Sequence, residues 1–119
     1  MLLGADYHKV FEVHGVALVY NHWFYLPRLA EQHKRMETFT APSTVLRLLT
    51  PLKISYESGK KRAEPYNRIV GELPEMRKDT VQLIGDAVTD ERRAYVFVNS
   101  RAEGNAPLTV EALVDQLRA

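Results

Sequence analysis

The chain has 119 residues, 45% of them hydrophobic and 26% charged, a balance that suits one globular domain rather than a disordered segment. A formal net charge of +1 gives no electrostatic ground for binding nucleic acid or an anionic membrane surface. The absence of cysteine excludes disulfides and thiolate metal sites, and no apolar stretch approaches the ~20 residues of a membrane helix.

Asp6 is placed to cap a short helix running to His14, with Val10 and Phe11 on its apolar side and Gly15 at its end. Val16-Ala17-Leu18-Val19-Tyr20 is almost wholly apolar, the pattern of a buried parallel strand. After the polar-aromatic turn Asn21 to Tyr25, Pro27 opens a helix through Met36. The turn-rich Thr40 to Ser43 precedes a second strand, Thr44 to Leu49, which Thr50-Pro51 stops. A helix from about Ser55 to Ile69 follows, capped by Ser55; Gly59 and Pro65 predict a break near Ala63. Its Lys60-Lys61-Arg62 cluster, answered by Glu57 and Glu64, reads as a solvated face. Gly71 closes that segment. Pro74 opens a helix to about Asp90, with Met76, Thr80, Leu83, Ile84, Ala87 and Val88 as one apolar stripe. Arg92 and Arg93 lead into a third strand, Ala94 to Val98. Asn99 to Pro107 reads as a loop, and Thr109 as the cap of a last helix with Val110, Leu113, Val114 and Leu117 on one face.

Three strands joined by helical crossovers imply an α/β fold with a parallel sheet and right-handed connections, forming a single domain over residues 1–119. Such a sheet needs helices on both faces or closure into a barrel. With helices on one side only, the other face stays apolar and bare. The sequence therefore predicts self-association, which would bury that face and the open strand edges.

Tyr95 to Pro107 resembles the last barrel strand and following loop of the YecE-like family, a TIM-barrel family of unknown function. There an aromatic-rich strand ends in asparagine and enters an acidic-Gly-x-Ala-Pro loop, matched here by Glu103-Gly104-Asn105-Ala106-Pro107. Leu18 to Trp23, with Leu26-Pro27, is similar to the antepenultimate strand and its tryptophan-bearing loop. Val45-Leu46-Arg47-Leu48 is similar to the penultimate strand, whose arginine is typical of the family. Two departures stand out. Leu49-Thr50 replaces a His-Gly pair that often follows the arginine, and Ser100 replaces a second asparagine. The resemblance implies three parallel βα units from the C-terminal part of a TIM-type (β/α)8 barrel, incomplete in this chain, since ~250 residues is typical of the fold. A truncated reading frame, an expressed fragment and a short natural relative are the readings open at this point.

In a TIM-type barrel the site lies at the C-terminal ends of the strands. The candidates there are Asn21, His22 and Trp23 after the first strand, Arg47 on the second, and Asn99, Glu103 and Asn105 after the third. His22, Arg47 and Glu103 are the candidates for catalysis; Asn21, Trp23, Arg47, Asn99 and Asn105 are those for ligand binding. Arg47 shares a strand face with Val45 and Leu49, so it points into the barrel or towards the helices. An anion site and a buried structural ion pair both account for it. His22 is a candidate base or a packed hydrogen-bonded histidine. Trp23, Phe24 and Tyr25 form a stacking wall or seal the barrel end. Glu103 is the candidate acid of the third loop, or a turn residue holding neighbouring amides. Asn99 and Asn105 read chiefly as satisfying loop backbone groups. His8, His14 and His33 fall on helices without ligand spacing, so no metal is expected. There is no phosphate loop, dinucleotide fingerprint or nucleophile elbow, and no cofactor is implied. Met1 to Asp6 lacks the features of a signal peptide, and the expected compartment is cytoplasmic. The function expected is that of a non-catalytic barrel fragment completed by self-association; the alternative is an enzyme binding a small molecule, an anion among the candidates, at the C-terminal ends of the strands.

Overall fold

The computed structural model describes His14 and residues 19–36, 39, 41–54 and 56–119. They contain the strands β1 (Val19–His22), β2 (Ser43–Leu48) and β3 (Arg93–Val98) and the helices α1 (Leu29–Met36), α2 (Tyr56–Ala63), α3 (Pro74–Thr89), α4 (Ser100–Glu103) and α5 (Ala106–Arg118). The helix expected before Gly15, the strand residues Val16 to Leu18 and the cap expected at Ser55 lie outside the described residues.

The strands pair in the order β1-β2-β3, all parallel, with helices carrying both crossovers. Side chains alternate across a strand, so the register sorts them into cross-sheet rows. Tyr20, Leu46 and Val96 form one row, and His22, Leu48 and Val98 another. These rows meet Leu29 of α1, Met76, Leu83 and Ala87 of α3, and Leu113 of α5 in a single apolar core. Leu29, Leu46 and Leu48 are fully buried, and each such side chain stabilises the fold by about 1.5–3 kcal/mol relative to exposure.

The intervening rows are Val19, Val45 and Tyr95, then Asn21, Arg47 and Phe97. Here Val19 is 45% exposed, Tyr95 47% and Phe97 61%. Among the described residues, the apolar core shared with the helices lies on the other face. The principal extents of 44 × 31 × 18 Å agree with this, because the shortest accommodates one sheet and one helix layer.

Four local expectations are corrected. Along α3, Met76, Thr80, Leu83 and Ala87 are buried, whereas Ile84 is half-buried and Val88 exposed, because these last two rotate off the narrow stripe facing the sheet. On α5 only Thr109 and Leu113 are fully buried, and Val110 and Leu117 stay exposed. Thr109 is not the cap: the Asn105 side chain accepts a hydrogen bond from the Leu108 amide at 3.0 Å, and the helix starts at Ala106. The expected loop after β3 contains the single turn α4, capped by Asn99, which accepts from the Arg101 amide at 2.9 Å. Gly104 ends that turn at φ +124°, a left-handed conformation that a side chain would strain. The break predicted near Ala63 is present, since α2 stops there.

Candidate functional site

The C-terminal ends of the strands hold three separate environments. The first is an open hollow of ≈ 480 Å³ on the bare sheet face, lined by Asn21, Trp23, Leu26, Arg47 and Leu49. Asn21 and Arg47 are register partners on β1 and β2, so their side chains stand about 4.8 Å apart on one face. Arg47 is exposed, and no carboxylate among the described residues lies within ion-pair distance of it. The Asn21 Oδ1 atom is buried without a hydrogen-bond partner. Trp23 stands at the rim, its ring 4.9 Å from that of Tyr25 in an edge-on arrangement, with Phe24 also edge-on to Tyr25 at 4.3 Å. The wall thus combines an exposed guanidinium, an asparagine and an indole.

His22 belongs to the other face, although it follows Asn21 directly. It is buried, and its Nδ1 lies 2.8 Å from the Thr50 carbonyl. A carbonyl only accepts, so Nδ1 carries the proton and Nε2 is left as the acceptor in the neutral ring. Burial lowers its pKa; the Thr50 hydrogen bond and the charges of Asp79, Glu75 and Glu103 oppose this without cancelling it. The His22 carbonyl also accepts from the Leu49 and Thr50 amides, at 3.0 and 3.1 Å. His22 therefore ties β1 to the end of β2. It borders a second hollow of ≈ 330 Å³ with Pro51, Ile54, Arg62, Leu73 and Glu75.

Glu103 is fully buried, and both of its oxygens are engaged. Oε2 accepts from the Leu73 amide at 2.7 Å and from Arg77 Nε at 2.8 Å. Oε1 accepts from Arg77 Nη2 at 2.9 Å and from the Thr109 hydroxyl at 2.7 Å. Burial alone would raise its pKa, but Arg77, the Leu73 amide and Thr109 together hold it below the usual carboxylate value. Its backbone carbonyl receives Val70 and Gly71 amides as well, at 2.8 and 3.3 Å. Glu103 is a clamp joining α3, α4 and α5, turned away from Arg47. A third hollow, ≈ 400 Å³, is lined by Tyr66, Val98, Asn99, Ser100 and Arg101. Asn99 and Asn105 act as helix caps, and Asn105 also donates to the Tyr66 carbonyl at 2.9 Å.

The structure brings together Asn21, Trp23 and Arg47; His22, Glu103 and Asn105 stand apart from them. Three structural residues escaped the sequence reading. Asp79 is buried and holds Arg28 through two hydrogen bonds of 3.0 and 2.7 Å while accepting the Ala30 amide at 3.1 Å. Arg77 answers Glu103. Gln32 accepts from the Asn21 amide at 3.3 Å and donates to the Asn21 carbonyl at 2.8 Å, so it occupies the outer edge of β1. Helical position was the one available signal for each, since their partners lie far off in sequence. Arg62, read as part of a solvated face, instead reaches the Gly71 and Ala102 carbonyls, at 3.4 and 3.5 Å.

Among the described residues no cluster of three or more His, Asp or Glu side chains could hold a metal ion, and no helix is long and apolar enough to cross a membrane. No family model, curated protein or solved structure matches the chain. The functional reading therefore rests on geometry.

Proposed function

We propose that the chain supplies three βα units to a TIM-type barrel of the YecE-like kind, is not catalytic alone, and closes its bare sheet face against a second copy. The exposure of Val19, Tyr95 and Phe97 in register carries this reading. An aromatic-aliphatic surface of this kind marks an interface when it is contiguous. Gln32 supports packing face to face over growth of the sheet at β1, because it already takes the outward amide and carbonyl of Asn21. Light scattering at micromolar concentration tests the proposal. A dimer or larger species is expected, and a monodisperse monomer contradicts it.

A second reading is favoured by the hollow at Arg47: the strand ends bind a small anionic ligand. A volume of ≈ 480 Å³ suits a small molecule, and a guanidinium without a carboxylate partner suits an anion. The two readings are compatible. Closing the face over an unpaired Arg47 would leave a buried charge uncompensated, at a cost of several kcal/mol. A bound anion removes that cost.

A further inference from the structure

The geometry points to a second contact between copies, in which the outer edge of β3 pairs antiparallel with the β3 edge of a partner, Val96 opposite the partner's Val96. This inference rests on the self-association reading above and adds an edge, a register and a symmetry to it.

The two edges of the sheet differ. Along a strand, the N–H and C=O of one residue point to the same side, and the side alternates from residue to residue. On β1 the His22 carbonyl faces β2, where it accepts from the Leu49 and Thr50 amides, so Val19 and Asn21 face outward. Gln32 takes the Asn21 amide and carbonyl, and Asn21 Nδ2 donates to the Val19 carbonyl at 3.4 Å. The chain fills this edge itself. On β3 the Arg93 and Asn99 amides donate to the Pro42 and Leu48 carbonyls, at 3.0 and 2.8 Å. Ala94, Val96 and Val98 therefore turn their N–H and C=O outward, and none has a hydrogen-bond partner among the described residues. Charges and prolines usually guard such an edge, and Ala94 to Val98 contains neither.

With β1 filled, the sheet cannot grow head to tail, β3 of one copy onto β1 of the next. Pairing of β3 with the partner's β3 about a two-fold axis remains. Centred on Val96, it sets Ala94 opposite the partner's Val98, and each outward pair exchanges two hydrogen bonds. A shift of one residue leaves an outward residue of each strand unpaired. The same register places Tyr95 opposite the partner's Phe97 on both sides of the axis, in the close positions where aromatic pairs stabilise a sheet. Arg93 falls opposite the partner's Asn99, so no like charges meet. Edge pairing leaves both bare faces on one side of the joined sheet, and closing that surface against a second such pair makes a species of four copies. Phe97 takes part in both contacts.

Light scattering and amide hydrogen exchange followed residue by residue by NMR, both on the full chain, test the pairing. The parent is expected as four copies, with the Val96 and Val98 amides exchanging at least about tenfold more slowly than in Ala94→Pro. That substitution removes an outward donor and sets a ring against the edge, and an edge strand tolerates it because the lost N–H points away from the sheet. It is expected to halve the mass, leaving two copies joined by their bare faces. Circular dichroism shows whether Ala94→Pro is folded, and the exchange rates of the parent decide the matter without it. An associated parent whose Ala94, Val96 and Val98 amides exchange as fast as unbonded ones would overturn the edge pairing and leave self-association standing. So would a folded Ala94→Pro of unchanged mass. A parent of two copies with those amides protected would support the edge and overturn closure of the bare face. A monomeric parent would overturn both.

Discussion

The two faces of the sheet treat charge in opposite ways. On the helix-covered side both buried carboxylates are matched, Glu103 by Arg77 and Asp79 by Arg28. Each pair also satisfies a backbone amide at a helix start, Leu73 before α3 and Ala30 in α1. On the bare side Arg47 has no carboxylate partner among the described residues, and Asn21 Oδ1 has none of any kind. The covered face is finished by this chain itself. The bare face carries groups that no described residue completes, although every candidate lies at the same strand ends.

The largest expected effect is on the finished side. Glu103→Ala should cost about 3–5 kcal/mol in a urea unfolding experiment, because it leaves the largely buried Arg77 only the exposed Glu72 at 3.8 Å and strips the Leu73 amide and Thr109 hydroxyl of their acceptor. Arg47→Gln, made in a Phe97→Lys background so that no second copy covers the bare face, should change unfolding by no more than about 0.5 kcal/mol. Comparable losses for the two variants would break the distinction between faces. Next in size is Gly104→Ala. A side chain there would overlap the Arg68 carbonyl and lie 2.8 Å from the Val70 amide nitrogen, at a φ of +124°. A loss of about 1–3 kcal/mol is expected from the conformation alone.

Smaller still is the pH response of the covered face. His22 and His33 both have pKa values lowered from 6.5, chiefly by burial. A lowered pKa means that the unfolded chain binds protons which the folded chain refuses. Stability is therefore full above pH 6.5 and falls as pH drops through the folded values, by at most about 1.4 kcal/mol per pH unit for each histidine. Urea midpoints at pH 7.5 and 5.5 measure it. His22→Asn should flatten the slope; an unchanged slope would show that His22 is not held neutral by the fold. Glu103, lowered from 4.5, adds a further loss only below that pH.

The second and third strands and the four longer helices were legible because short apolar runs, Pro27, Pro74 and the Gly59–Pro65 interruption are local signals; β1 was not, since its polar Asn21 and His22 read as turn but pair with Arg47 and Leu48. The assignment of faces was less so. Tyr95-Val96-Phe97-Val98 is apolar throughout, and without alternation nothing says which side stays bare. Arg47, a lone charge in an apolar strand, was the useful clue, and it marks the open face. Glu103 reads as an available acid because it lies in a Gly-Pro-rich turn, but its guanidinium partner is 26 residues away on α3. Likewise the adjacent Asn21 and His22 are neighbours in sequence and face opposite ways, since a strand turns each successive side chain over. Distant pairing, rather than residue type, decides which of the candidates remain available to a ligand.

Two residues of nearly equal exposure test the central claim most directly. Phe97 is 61% exposed on the bare face, and Val88 is 63% exposed on the outer side of α3. The molar mass of Phe97→Lys and Val88→Lys, measured by light scattering beside the parent chain, compares the two surfaces. The account predicts that the parent and Val88→Lys associate while Phe97→Lys is a folded monomer. A parent that is already monomeric, or a Phe97→Lys variant that associates as the parent does, would contradict it.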